Sequence, residues 1–587
     1  MVVKLRRLLL PFVCAICAAA GSTLVAQTSA SADAVALDAL TKEFTARRAP
    51  GGDGRVPGVL PTAEQMAADA AWADGLLTRL HALHADRLTH DQWITYATLD
   101  WQAGILKEYW GQYPWFDIPI TPYNSPLRGF PVSFASLPMK TEADVTAYVD
   151  ALNRVPMIAA SYETRLRSQM ARDIVAPSEE LRLTVPFVRG LAAPPSESRF
   201  RPQSAQLASL PEDMRPRAAA QIDAAIVEAV NPSFERLAAF IDGPYRAKAP
   251  AGVGAAQYPG GRAYYQFLIR DHTALNLTPE EIHAIGLAEV DRLEKALDQV
   301  RRDAGFTGTL AEFHAYLRND PRFRATSAED IGDRMMKAIT RIEPQIGEFF
   351  PIKPKAPYGV KRLDPALEAS MTYGYYQDPS KRDPGGYYNF NGSHPQDRSI
   401  LMAEATIYHE LIPGHHFQIA LQEENESLNA YRRNAFFTAF TEGWAEYASD
   451  LAGEMGMYSD PYARAGRLAM DLFLSTRLVI DTGMNALGWS REKGMAYMRE
   501  HTFESDLQID TETLRYSSDT PGQALAYKLG AREFHQLRDR LEKEQGSTFD
   551  LRAFHAWVLR AGNMPLTVLD GHVACFAHER HVASGSR

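Results

Sequence analysis

Cysteine is nearly missing from this chain: there are three in 587 residues, and two of them, Cys14 and Cys17, lie close to the N-terminus. If that end is removed on export, Cys575 is left alone. No internal disulfide can then form, and stability must come from buried apolar surface. Long apolar runs are also missing. Apart from Leu8 to about Ala20, no stretch approaches the roughly 20 residues that a membrane-spanning helix needs, which excludes a polytopic membrane protein. Positive charge is in deficit, with 62 Lys and Arg against 72 Asp and Glu and a formal net charge of −10. Nucleic acid is therefore not an expected partner, because phosphate binding needs a basic face. No internal repeat and no low-complexity tract is present, which sets aside solenoids and disordered tails.

What remains is an ordinary globular composition, 45% hydrophobic and 23% charged, in a chain long enough for two subdomains or one large helical body. At the N-terminus Lys4, Arg6 and Arg7 precede the short apolar run, and Ala30-Ser31-Ala32 fits the small-x-small pattern of signal cleavage. Residues 1–32 are read as an export signal, leaving a periplasmic or secreted protein with no stable membrane insertion. Its loss takes the formal charge from −10 to −13. Neither Cys14 nor Cys17 follows a Leu-Ala-Gly type sequence, so a lipid anchor is not expected.

Helical periodicity dominates. Residues 33–263 read as an N-terminal helical subdomain and 264–587 as a second one, the two halves forming a cleft. Thr278-Pro279-Glu280-Glu281 combines an N-cap, a proline at the first helical position and a glutamate placed to close a capping box. The exception is the aromatic segment 367–390. There Met371–Tyr376 and Gly386–Phe390 read as two short strands, the second a candidate edge for pairing with an extended peptide. The expected class is mainly α, with one small β-sheet.

The chemistry concentrates in Tyr408-His-Glu-Leu-Ile-Pro-Gly-His-His-Phe-Gln418. A zinc helix carries histidines four apart, about 40° from each other around the axis. Here that place is taken by Pro413. On a straight helix His415 would sit about 240° from His409, and His416 about 10.5 Å along the axis. Pro413-Gly414 breaks the helix, however, and acts as an insertion that returns a later histidine, His415 or alternatively His416, to His409. Glu442 and Glu446, four apart in a later helical stretch, supply a third ligand and a second carboxylate to orient a ligand histidine. Glu410 is then the base acting on metal-activated water. A His/His/carboxylate shell suits Zn2+, one per chain, without excluding another divalent ion.

These motifs, with Asp481-Thr-Gly483 and Pro521-Gly-Gln-Ala-Leu-Ala-Tyr-Lys-Leu-Gly530, resemble the DUF885 family from about Leu277 to the C-terminus. The resemblance implies a large helical, metallopeptidase-like body with a deep cleft. Phe440–Glu446 is also similar to the glutamate-ligand helix of angiotensin-converting-enzyme-like peptidases, and Arg515-Tyr516 to their late Arg-Tyr element. That similarity implies a role for Arg515 and Tyr516 at the oxyanion. Tyr527 is a further donor candidate from its chemistry, and Lys528 or Arg532 could hold a substrate carboxylate. Asn485 stands where the family pattern suggests histidine, which leaves Asp481 as a structural or supporting acid. The expected activity is hydrolysis of amide or peptide bonds in short peptides. A small non-peptide amide as substrate, or a non-catalytic metal- or peptide-binding role, are the alternatives. Oligomeric state is not legible in the sequence.

Overall fold

Threonine followed three residues later by glutamine, glutamate or aspartate opens five of the described helices. The capping box at Thr278 and Glu281 starts the helix Pro279–Asp303, and the same device at Thr62, Thr89 and Thr309 starts Ala63–His81, His90–Gln112 and Leu310–Asn319. A side chain that satisfies an otherwise orphan backbone N–H is typically worth about 1 kcal/mol at such an end. The computed structural model describes residues 31–49, 52–368, 373–381 and 383–585. With 68% helix and 3% strand the fold is mainly α. Apart from Ser31, which caps the helix Ala32–Arg48, and Ala32, its first residue, the signal segment lies outside the described residues. Among those residues no helix is long and apolar enough to cross a membrane.

Two cores organise the body. One is made entirely between Ile118 and Tyr258. The other gathers Tyr408, Phe440, Trp444, Phe534, Phe554 and Val573 from the C-terminal half and also takes in Ile94. The first three helices, Ala32–Arg48, Ala63–His81 and His90–Gln112, build a smaller cluster that includes Tyr431. The N-terminal helices therefore pack on the C-terminal half. The helix Pro461–Ala486 runs alongside Pro279–Asp303 and is buried over most of its length. Arg467, Asp471, Arg477, Asp481 and Asn485 are all buried on it, so it carries charge into the interior.

The sheet has three strands in the order β1 (Tyr358–Arg362), β3 (Gly386–Phe390), β2 (Gly374–Gln377). β1 is parallel to β3, with Tyr358 opposite Gly386, and β2 is antiparallel, with Gly374 opposite Phe390. The two aromatic strands expected from the sequence pair with each other, although Met371 and Thr372 lie outside the described residues. Gly386–Phe390, however, is the central strand. Its backbone is paired on both sides, which corrects the reading of it as an edge open to a peptide.

Candidate metal centre

Residues 403–423 form two helices with a break, where one kinked helix is the simplest reading of the sequence. Ala403–Glu410 ends just after His409, and His415–Glu423 begins with His415. The four residues between break the helix. Pro413 O accepts from Trp444 Nε1 at 3.0 Å, and Leu411 O and Gly414 O accept from Phe417 N and Gln418 N, so these carbonyls of the break are satisfied. Gly414 is packed so closely that a Cβ there would lie 1.8 Å from His409 O; no other residue fits without moving the backbone that holds the first histidine.

The helix Thr438–Glu454 crosses below and presents Glu442 and Glu446 one turn apart. It is drawn against Leu525–Gln545 at a glycine–glycine contact, where a Cβ on Gly443 would be 2.5 Å from Gly530 Cα. Glu442 Oε2 lies 3.4 Å from His409 Nε2 and 3.2 Å from His415 Nε2. Neither approach has hydrogen-bond geometry, and Oε2 is buried without a hydrogen-bond partner. The three ligand atoms fall within 4.8 Å of one another. Ligands about 2.0–2.1 Å from a tetrahedral ion are separated by about 3.3–3.4 Å, so two imidazoles and a carboxylate oxygen at these distances, with none bonded to another, fit a shared cation.

The surroundings support that fit. His409 Nδ1 meets Glu446 Oε1 at 3.1 Å, and Glu446 Oε2 accepts from Arg467 Nη2 at 2.8 Å. This is the carboxylate support that orients a ligand imidazole through its second nitrogen. Burial opposes ionisation of Glu446, yet Arg467 and His409 outweigh it and lower its carboxyl to about 2. Burial likewise opposes a proton on His409, but Glu442 and Glu446 raise it to about 10. Both shifts describe one field: the spot between these side chains stabilises positive charge.

The two adjacent histidines separate completely. His415 turns to the triad, whereas His416 has Nδ1 on the Tyr376 hydroxyl at 2.9 Å and Nε2 on Ala356 O at 3.1 Å, tying this helix to the sheet. Glu410 is half-buried beside the triad in a cleft of about 560 Å³. Burial raises its carboxyl, against the lowering effect of His409 and His415. Tyr527 lines the same cleft with its ring stacked on that of His409 at 6.1 Å, and Arg477 Cζ lies over the Tyr527 ring, 4.9 Å from its centroid. Tyr516 and Arg515 do not line this cleft. The Tyr516 hydroxyl donates to Glu512, and Arg515 Nη1 lies 3.2 Å from the same carboxylate. Lys528 is held between Asp471 at 2.6 Å and Glu289 at 3.0 Å, and Arg532 lies outside the cleft lining. The sequence reading missed Arg467, which stands 21 residues from Glu446 and belongs to a helix with no local motif around it.

Asn485 is a structural tie. Its Nδ2 donates to Asp481 and to Tyr516 O at 2.8 Å, and its Oδ1 accepts from Ala255 N at 2.9 Å. Asp481 also accepts from Tyr265 Oη at 2.6 Å and Gly522 N at 3.0 Å, yet burial prevails and raises its carboxyl to about 7. Between about pH 4 and 7 such a group is protonated when folded and ionised when unfolded, so its contribution falls as pH rises through that window and then levels off. Asp481→Asn is expected to flatten this part of the curve, read from denaturant midpoints across it. An unchanged slope would show that Asp481 is ionised in the folded chain.

Comparison with known proteins follows this geometry. The sequence profile of DUF885, described as a bacterial protein of unknown function, matches residues 45–573. No functionally curated protein matches the chain. Among solved structures, one from Colwellia psychrerythraea described as a "putative lipoprotein" superimposes with a TM-score of 0.82 at 25% identity, covering 93% of this chain and 99% of that one. A second, from Shewanella oneidensis and of unknown function under the same description, gives a TM-score of 0.70 at 17% identity over 92% and 99%. It shows the fold alone.

Proposed function

The chain belongs to DUF885, a bacterial family of unknown function, and we propose that it is an exported, zinc-dependent hydrolase of amide bonds acting on short peptides. The observation that carries this reading is the convergence of His409 Nε2, His415 Nε2 and Glu442 Oε2 within 4.8 Å, in a cleft that Glu410 also lines. Export is supported by the basic-apolar-small order of the N-terminal residues.

His409, His415 and Glu442 would hold the ion, which supplies Lewis acidity to the scissile carbonyl and to the attacking water. Glu410 takes a proton from that water and returns it to the leaving amine. A half-buried carboxyl raised above its ordinary range is suited to both steps, because a shared proton is exchanged best near the working pH. Burial raises Tyr527, so it stays a phenol and can donate to the developing oxyanion. Glu446 and Arg467 act on His409 and fix its ring. Tyr516 and Arg515, bound to Glu512, would contribute only through rearrangement of that cluster.

Elemental analysis of protein purified with zinc present tests the proposal first. One equivalent is expected in the wild type, and less than about a tenth of an equivalent in Glu442→Ala, since loss of one of three ligands removes the shell. Wild-type protein without stoichiometric metal would sink the reading.

A further inference from the structure

The helix His415–Glu423 lines the cleft with one face, His415, Gln418, Ile419, Gln422 and Glu423, the spacing of a single helical stripe. His415 stands at the metal end and Glu423 at the mouth. At 1.5 Å per residue they are about 12 Å apart along the axis, which is about three residues of extended peptide. Asp378, just beyond β2, shares that mouth. Glu423 and Asp378 are both exposed there, and neither has an ion-pair partner among the described residues. Partial desolvation by the cleft wall and the neighbouring Asp378 raise Glu423 to about 6, so the two carboxylates feel one another.

A second observation stands apart from this acidic pair. Gln418 is 2% exposed, and its Oε1 has no hydrogen-bond partner. Its amide is not free to turn over. Gln418 Nε2 donates to Gln422 Oε1 at 2.9 Å, while Gln422 Nε2 donates to Arg432 O, Arg433 O and Ala435 O, and its Oε1 accepts from Asn563 N at 2.9 Å. Gln422 is thus locked, and Gln418 is locked by it with an acceptor left over on the cleft wall. An orphan buried acceptor asks for a donor, and two unpaired carboxylates ask for a positive one.

We propose that Glu423 and Asp378 receive an ammonium group of the substrate, either the free α-amino end of a peptide about three residues from the reacting carbonyl or a lysyl side chain, while Gln418 Oε1, between them and His415, accepts from a backbone N–H of the same peptide. This rests on the reading of the cleft as a short-peptide site and gives that reading a direction: the positively charged end of the peptide lies at the mouth. Arg433 lines the same cleft without an ion-pair partner among the described residues. It provides a place for negative charge away from the reacting bond.

The test is equilibrium binding by calorimetry to the zinc-loaded Glu410→Gln chain, with trialanine, N-acetyltrialanine and N-acetyl-lysyl-dialanine as probes. Trialanine is expected to bind about tenfold more tightly than its acetylated form, the scale set by two exposed charge pairs. In the Asp378→Asn, Glu423→Gln double variant the difference should shrink to about twofold or less. These two side chains are exposed, so an unchanged melting temperature is expected. Recovery of affinity by the lysyl probe assigns the site to a side-chain ammonium, and no recovery assigns it to the terminus. Equal binding of free and acetylated peptide, a difference that survives in the double variant, or no binding of any probe would overturn the proposal. Discrimination in Glu410→Gln, with a zinc-loaded wild-type chain that cleaves no peptide, would instead refute the hydrolase reading and leave this one standing.

Discussion

Glu410→Gln is expected to lower peptide turnover by about 10²- to 10⁴-fold, the usual contribution of a positioned general base, while the zinc content of the protein stays at the wild-type value. The two readouts separate because of where Glu410 sits. It lines the cleft next to His409, but the three converging ligand atoms belong to His409, His415 and Glu442. Glutamine keeps the shape and hydrogen-bonding reach of the side chain and removes only its capacity to take a proton. Single-turnover rates on a short peptide, paired with metal analysis of the same preparation, decide the matter. Retained turnover would remove Glu410 from the chemistry, and lost metal would give it a structural role instead.

The second large effect is expected from a methyl group. In Gly414→Ala the new Cβ would meet His409 O at 1.8 Å and Tyr408 O at 2.5 Å. Both are backbone atoms, so no side chain can rotate out of the way, and the break between the two histidine helices must open. Overpacking against backbone is expected to cost at least about 3 kcal/mol. Because the displaced backbone carries His409, metal affinity should fall along with the melting temperature. A variant that kept both would show that the break tolerates a larger residue, and that the tight turn is not what sets the spacing of the ligands.

Much of this was legible before the structure, for physical reasons that can be named. Capping boxes such as Thr278 with Glu281 are local, and local chemistry is written in consecutive residues. The set His409, Glu410, Glu442 and Glu446 was legible because helical spacing alone places a carboxylate one turn from another. The choice between His415 and His416 was not legible. It depends on Tyr376 and Ala356, which hold His416 to the sheet, and on how sharply the chain turns at Gly414. β1 was missed because Tyr358–Arg362 offers only Tyr358 and Val360 as apolar residues before Lys361 and Arg362, too short an alternation to mark a strand. Its parallel pairing with β3 then turned an expected edge into a centre. Tyr516 was expected at the oxyanion because Arg515-Tyr516 resembles a late Arg-Tyr element, but a buried acid, Glu512, takes its hydroxyl. Arg467 could not be found at all, since its partner Glu446 lies on another helix.

The break between the helices Ala403–Glu410 and His415–Glu423 also bears on how sites of this kind are found in other chains. A search that counts residues between histidines looks for two ligands on one helix and passes over this site. Here the ligands are the last turn of one helix and the first residue of the next. They meet because the helix breaks between them at a tightly packed glycine. A pattern written as helix end, tight glycine turn and helix start, with a two-glutamate helix downstream, describes the geometry that a fixed spacing hides.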